Sequence, residues 1–240
     1  MTQLKGKKAI VTGGSRGIGF AIARGLLDAG VDVAICARTP ESVEKAVAAL
    51  SAGGGKVVGA PCDVGNYDSI RKFYGFVDDS LSRLDILVNN AGIGIFRSVG
   101  DLTVEEWRKT QATNLDSVYY FCHEAIPRFR AAGGGFVVNI SSLAGRNPFA
   151  GGAAYNASKF GLNGFSEAMM LDHRYDNIRM TAICPGSVAT EFSAGGSAGN
   201  VSDWKIQPED VAEVVLGVLS IPERTLVSYV EIRPSKPRKA

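Results

Sequence analysis

Tyr155 and Lys159, in the run Tyr155-Asn-Ala-Ser-Lys159, are four residues apart. On a helix that spacing puts both side chains on one face, about one turn from each other. A phenol in water titrates near ~10 and is a poor acid or base at neutral pH. An ammonium within a few ångströms favours the phenolate and draws the phenol toward the working range. Such a pair can pass a proton to or from a carbonyl or hydroxyl oxygen. The same spacing also occurs on solvated helix faces, so the rest of the chain has to decide between the two readings.

A second group lies near the start. Thr12-Gly-Gly-Ser-Arg-Gly-Ile-Gly19 follows the short apolar strand Lys8 to Thr12 and precedes a helix-patterned run from Phe20 that Gly30 ends. A strand, a glycine-rich turn and a helix N-terminus form a cradle for the diphosphate of a dinucleotide. The glycine spacing is G-x-x-x-G-x-G rather than the usual G-x-G-x-x-G, so it is the position between strand and helix that carries the reading. A glycine-rich hairpin with no ligand is the alternative. The second strand, Val31 to Cys36, runs into Ala37-Arg38, and no carboxylate occurs between Asp32 and Glu41. An acid after this strand suits the ribose of NAD, whereas an arginine suits the 2′-phosphate of NADP. Arg38, with Arg16 and Ser15 from the glycine turn, therefore favours NADP(H). Against this stands the reading of both arginines as solvated surface charges.

The elements that must position these groups alternate regularly. Helices are predicted at Pro40 to Leu50, Asn66 to Leu81, Thr103 to Arg130 (broken only at Pro127), Ala153 to Arg174 and Pro208 to Ser220. Strands are predicted at Lys56 to Pro61, Asp85 to Val88, Phe136 to Ile140, Ile178 to Cys184 and Thr225 to Ile232. Alternation of this kind implies an α/β fold, a doubly wound parallel sheet of about seven strands with helices on both faces. One domain over residues 1–240 is expected, with no linker and no internal repeat. Ligands of such sheets collect at the carboxyl ends of the strands. Gly13, Arg38, Asp63, Asn90, Ser142 and Pro185 all sit there. Asn89-Asn-Ala-Gly92, at the end of the fourth strand, can bring backbone against a ligand or form polar turn bonds.

Composition narrows the function classes. The chain has 240 residues, 45% hydrophobic and 21% charged, with a net charge of +2. That charge is too small to indicate nucleic-acid binding. No run approaches a membrane span or a signal peptide. Cys36, Cys62, Cys122 and Cys184 lack C-x-x-C spacing and lie in apolar contexts, which suits buried free thiols in a reducing cytoplasm. Two histidines with no paired spacing give no metal site.

Taken together the motifs resemble the short-chain dehydrogenase/reductase family. Five occur in order between about residues 6 and 190: Thr12–Gly19, Asp63-Val64, Asn89–Gly92, Ser142 with Tyr155 and Lys159, and Pro185-Gly186. The resemblance implies a Rossmann fold and hydride transfer between NADP(H) and a carbonyl or secondary alcohol. It implies that Tyr155 donates the proton to the substrate oxygen and that Lys159 lowers its pKa and binds the nicotinamide ribose. Ser142, rather than Ser141, would polarise the carbonyl, and Asn114 would position a water in a proton relay. Asp63 and Val64 would contact the adenine, Asn90, Ala91 and Gly92 would line the cofactor, and Thr190 would meet the nicotinamide amide. Gly13, Ser15, Arg16, Gly17, Ile18, Gly19, Arg38, Pro185, Gly186 and Val188 complete the implied cofactor contacts. The family usually dimerises or tetramerises through its long helices, and the row Val118, Cys122, Ala125, Phe129 permits this.

Substrate is where the chain departs from the family. The stretch at 191–207, expected to be the substrate lid, is short and glycine-rich and is predicted to be mobile. Phe192 and Trp204 could wall the site or pack on the core. The basic tail at 233–240 and Gly133-Gly-Gly135 before the fifth strand differ from 3-oxoacyl-[acyl-carrier-protein] reductases, so a general ketone or aldehyde reductase is expected, with the carrier-protein reductase as an alternative. A non-catalytic dinucleotide sensor would usually lack the tyrosine or lysine. An epimerase or dehydratase would need more chain after Thr190.

Overall fold

Alternate side chains of a strand point to opposite faces of its sheet, so a strand covered on both sides must be apolar throughout. The middle of Lys8–Thr12 (β1), Ala9 to Val11, is of this kind. In the computed structural model, which describes residues 4–52, 55–194 and 204–237, Ala9 and Val11 join one apolar layer while Ile10 joins the other. All strands are parallel and form a seven-stranded sheet in the order β3-β2-β1-β4-β5-β6-β7. The remaining strands are Asp32–Ala37 (β2), Val57–Pro61 (β3), Ile86–Asn89 (β4), Gly135–Ile140 (β5), Ile178–Pro185 (β6) and Tyr229–Ile232 (β7). Gly17–Asp28 (α1), Pro40–Leu50 (α2) and Pro208–Leu219 (α7) cover one face. Tyr67–Ser80 (α3), Ser117–Ala132 (α5) and Ala153–His173 (α6) cover the other. The expected doubly wound Rossmann sheet is therefore present. Strand order reverses direction between β1 and β4, the place where such sheets open a crevice for ligands.

Helix ends follow local chemistry. Thr39 and Asn66 accept backbone bonds from Ser42 and Ser69 at the starts of α2 and α3. Thr103 and Glu106 form a capping box on Val104–Gln111 (α4). Gly133, at φ 82°, ends α5 in the left-handed region.

Three expectations about the elements need correction. Pro127 does not break the long helical region; α5 runs through it. The loss of one backbone bond costs about 3 kcal/mol, and burial of Phe121, Cys122, Ala125 and Phe129 on the same helix outweighs it. The irregularity lies upstream instead, as a π turn at Ala112–Asp116. The row Val118, Cys122, Ala125, Phe129 is not a free surface for a second subunit, because all four are buried in the chain's own core. Finally, β7 begins at Tyr229 rather than Thr225. Thr225 closes a turn onto Pro222, and the Thr181 hydroxyl takes the Val227 carbonyl before ladder pairing starts. All four cysteines are buried free thiols.

Candidate active site

The glycine turn is joined to the end of β4 by bonds the residue types dictate. The Thr12 hydroxyl accepts from the backbone N–H groups of Asn90 (2.9 Å) and Ala91 (3.0 Å). Asn90 Nδ2 donates to the carbonyls of Thr12 (2.9 Å) and Gly13 (3.3 Å). Asn89-Asn-Ala-Gly92 thus makes the polar turn bonds that were one of its two readings, and they hold two strand-end loops in close contact across the switch point. A Cβ on Gly19 would lie 2.3 Å from the Gly13 carbonyl oxygen and 2.4 Å from Asn90 Nδ2. Only a residue without a side chain lets α1 start so close to the turn. Arg16, the N-cap of α1, makes no side-chain cap bond, so the helix presents N–H groups and its positive dipole end to the crevice.

Gly19→Ala is accordingly expected to open the turn, destabilising the fold by about 1–3 kcal/mol and abolishing dinucleotide binding. Thermal unfolding and cofactor titration read the two effects; a variant that binds like the wild type would remove the cradle reading.

Arg38 is exposed just beyond β2 and forms no ion pair among the described residues. Arg16 differs, forming an ion pair with Glu191 across the crevice. Ser15 and Ile18 are half-buried in the glycine turn. Asp63 turns its carboxylate back on the Gly65 N–H (3.0 Å), and Val64 is buried beneath it. Gly92 lies against the Asn114 side chain, 3.4 Å from where its Cβ would stand. Pro185 ends β6 and leads to Gly186, whose N–H donates to the Ile232 carbonyl. Val188 is buried, and Thr190 packs beside Gly17 at 3.3 Å from its virtual Cβ.

Tyr155 and Lys159 occupy the first two turns of α6, both buried. Lys159 Nζ donates to the carbonyl of Ile140 at the end of β5 (2.9 Å) and stands 5.8 Å from the centre of the Tyr155 ring. Burial raises the Tyr155 phenol, and hydrogen bonding with Ser142 works against that rise. The expectation that Lys159 lowers the phenol is not met in this arrangement, since its ammonium is turned to Ile140. Burial pushes Lys159 itself down to about 8. Ser142 caps a short turn, accepting from the Ala144 N–H (3.1 Å), while Ser141 is buried toward Cys184. Asn114 sits in the π turn, fully buried. Its amide donates to Ile93 (2.9 Å) and Ser158 (3.1 Å) and accepts from the Ile93 N–H (2.8 Å). Both donors are committed to structure, and the π turn is what points the side chain inward rather than along the helix face.

Sequence reasoning missed Phe96, Phe149 and Glu191. Phe96 and Phe149 surround Tyr155 together with Phe192. Their signal was available, as bulky aromatics in glycine-containing loops directly after β4 and β5. Of the expected lid, residues 195–203 lie outside the described residues, as do 238–240 of the tail; Trp204 stacks near Lys205. The described residues contain no group of three potential metal ligands and no helix long and apolar enough to cross a membrane.

Residues 7–200 match the family model described as short chain dehydrogenase. Among curated proteins, the chain is 34% identical over 229 residues to the 3-oxoacyl-[acyl-carrier-protein] reductase FabG of Chlamydia pneumoniae, covering 90% of this chain and 91% of that one. It is 35% identical over 239 residues to glycine betaine reductase ATRR of Emericella nidulans, covering 96% of this chain but spanning only 19% of that protein's length. Among solved structures, a metagenomic short-chain oxidoreductase in complex with NADP superposes with a TM-score of 0.85 at 36% identity. That alignment covers 98% of this chain and 100% of the other.

Proposed function

This chain belongs to the short-chain dehydrogenase family, and from that premise we propose that it is an NADP(H)-dependent reductase of ketones or aldehydes with Tyr155 as its proton donor. The observation that carries the proposal is the placement of a buried phenol, with a hydroxyl before it and an amine behind it, on the same strand-end edge as the glycine turn. The cofactor fits: α1 opens on N–H groups that no side chain caps, beside a glycine turn that leaves the backbone bare, and Arg16 and Arg38 are the cations at its rim. NADPH, when bound, supplies the hydride. Gly13 to Gly19, Asp63, Val64, Asn90 to Gly92 and Pro185 to Thr190 would hold it. The chain's own part is to place and protonate the oxygen. The Ser142 hydroxyl donates to the carbonyl oxygen and orients it. As that oxygen gains negative charge it takes the proton from the Tyr155 hydroxyl. The phenolate left behind draws the Lys159 ammonium from the Ile140 carbonyl toward itself, accepts from the Ser142 hydroxyl once the product alcohol leaves, and is re-protonated from solvent. A 3-oxoacyl-[acyl-carrier-protein] reductase is the second reading, supported by the likeness to the Chlamydia pneumoniae protein. The buried thiols suit a reducing cytoplasm. The exposed aromatics Trp107, Tyr119 and Phe160 on α4 to α6 suit a homodimer or homotetramer.

Loss of NADPH absorbance with a panel of simple ketones, sugars, quinones and a 3-oxoacyl thioester tests the reading; no turnover with any of them would remove it. Arg38→Ala is expected to weaken NADPH binding about tenfold, the size of one charge-assisted phosphate contact, and to leave NADH unaffected. Titration of both cofactors reads this, and equal losses for the two would refute the phosphate role.

A further inference from the structure

Three phenylalanines from three separate strand-end loops meet around the Tyr155 phenol. Phe96 follows β4, Phe149 follows β5 and Phe192 follows β6. Their ring centres lie 5.6, 6.5 and 5.8 Å from that of Tyr155, and Phe96 and Phe149 stand edge to face at 5.5 Å. Single exposed apolar side chains are ordinary. Here three rings, 49%, 45% and 39% exposed, form one continuous patch on the group proposed to donate the proton.

The backbone is arranged to hold them there. A Cβ on Gly94 would stand 2.7 Å from Phe96 and 3.0 Å from Phe192, and one on Gly152 would stand 2.6 Å from Phe149. Both glycines leave room for a ring to lie flat over the chain. A bridge between Arg97 and Gly152 ties the first two loops together, and Asn156 Nδ2 holds the Phe149 carbonyl at 3.1 Å. The rings thus project from a braced rim.

The charges beside the rim are already satisfied. Arg97, next to Phe96, pairs with Glu106 at 2.8 Å. Arg146, beyond Ser142, pairs with Glu231 at 3.3 Å and lies over the Tyr229 ring. A substrate carboxylate or phosphate approaching Tyr155 would meet aromatic faces, whose electron-rich surface disfavours anions, and cations held by other carboxylates.

We infer that Phe96, Phe149 and Phe192 form a specificity collar that selects uncharged carbonyl compounds carrying an aryl or comparably bulky apolar group beside the carbonyl. This rests on Tyr155 being the proton donor of the proposed reductase. Aryl alkyl ketones fill the collar by edge-to-face contact and place the carbonyl at the phenol. Keto acids, sugars and carrier-bound acyl groups do not.

The test has two arms. In the first, kcat/KM for NADPH-linked reduction is compared for acetophenone, 2-butanone and pyruvate in the wild type, Phe96→Ala, Phe149→Ala and Phe149→Leu. The expected wild-type order is acetophenone above 2-butanone by about tenfold or more, with pyruvate last. Each alanine variant is expected to reduce the acetophenone-to-butanone ratio by about three- to tenfold, with the leucine variant intermediate. In the second arm, acetophenone binding to the Tyr155→Phe protein with NADPH is measured by calorimetry, alone and combined with Phe149→Ala. A loss of about three- to tenfold in affinity is expected on removing the ring. Turnover without aryl preference, or with a ratio unmoved by the variants, overturns the collar and leaves the reductase standing. Acetophenone binding that depends on Phe149, in a protein that reduces no carbonyl, keeps the collar and overturns the reductase.

Discussion

Replacing Tyr155 by phenylalanine is expected to lower turnover of every accepted carbonyl by about 10³-fold or more, while NADPH binding stays within about twofold. The size follows from what is removed. General acid catalysis by a positioned group contributes about 10²–10⁴-fold, and the remaining hydroxyl, Ser142, can orient an oxygen but has no amine behind it to stabilise its anion. The ring itself stays. Its contacts with Phe96 and Phe192 do not involve the hydroxyl, so folding and the apolar rim are preserved. Steady-state reduction alongside a cofactor titration separates the two effects. Turnover near that of the wild type would show that another group delivers the proton.

Lys159→Met is expected to lower turnover by about 10²-fold or more and, at pH 7, to make the protein more stable. Burial depresses Lys159 from 10.5 to about 8 in the folded chain. Between about 8 and 10.5 the unfolded chain therefore holds a proton that the folded chain has released. Stability of the wild type rises with pH through that window, and below about 8 the buried cation carries its full penalty. At about 1.36 kcal/mol for each tenfold in proton affinity, the penalty at pH 7 is on the order of 3 kcal/mol. Methionine has similar length and no charge to bury. It also loses the bond to the Ile140 carbonyl, which offsets about 1 kcal/mol. A net gain of about 1–2 kcal/mol at pH 7 follows, shrinking or reversing by pH 10. Denaturant unfolding at the two pH values measures it. A variant less stable at pH 7, or a difference that does not change with pH, would contradict the account. The two effects oppose each other because burial, only partly offset by the Ile140 bond, makes the cation costly to hold where the proposed chemistry uses it.

Most of the scaffold was legible in the chain because its determinants are local. Apolar runs such as Ile10-Val11, caps such as Thr103 with Glu106, and the stop at Gly133 act over a few residues. What escaped depends on tertiary contact. Pro127 carries a local rule against helix, and four buried neighbours on α5 override it. The π turn at Ala112–Asp116 has no sequence signature of its own; it shows itself only once Asn114 is seen bonded to Ile93. The direction of the Lys159 amine was not readable either. Four-residue spacing puts it near Tyr155, but the nearby end of β5 supplies an acceptor that spacing cannot reveal. Phe96 and Phe149 are 53 positions apart in the chain and become neighbours only when β4 and β5 pair side by side.

The pairing of Arg16 with Glu191 couples parts of the chain that sequence keeps 175 positions apart. Both partners lie largely in solvent, so the bond itself is worth little, about 0–1 kcal/mol. Its weight lies in competition. An anion drawn to the glycine turn contends with a carboxylate tethered just past Thr190, and whatever takes the guanidinium unfastens that tether. Occupancy of the glycine turn by an anion and the placement of Glu191, one residue before Phe192, therefore draw on the same guanidinium.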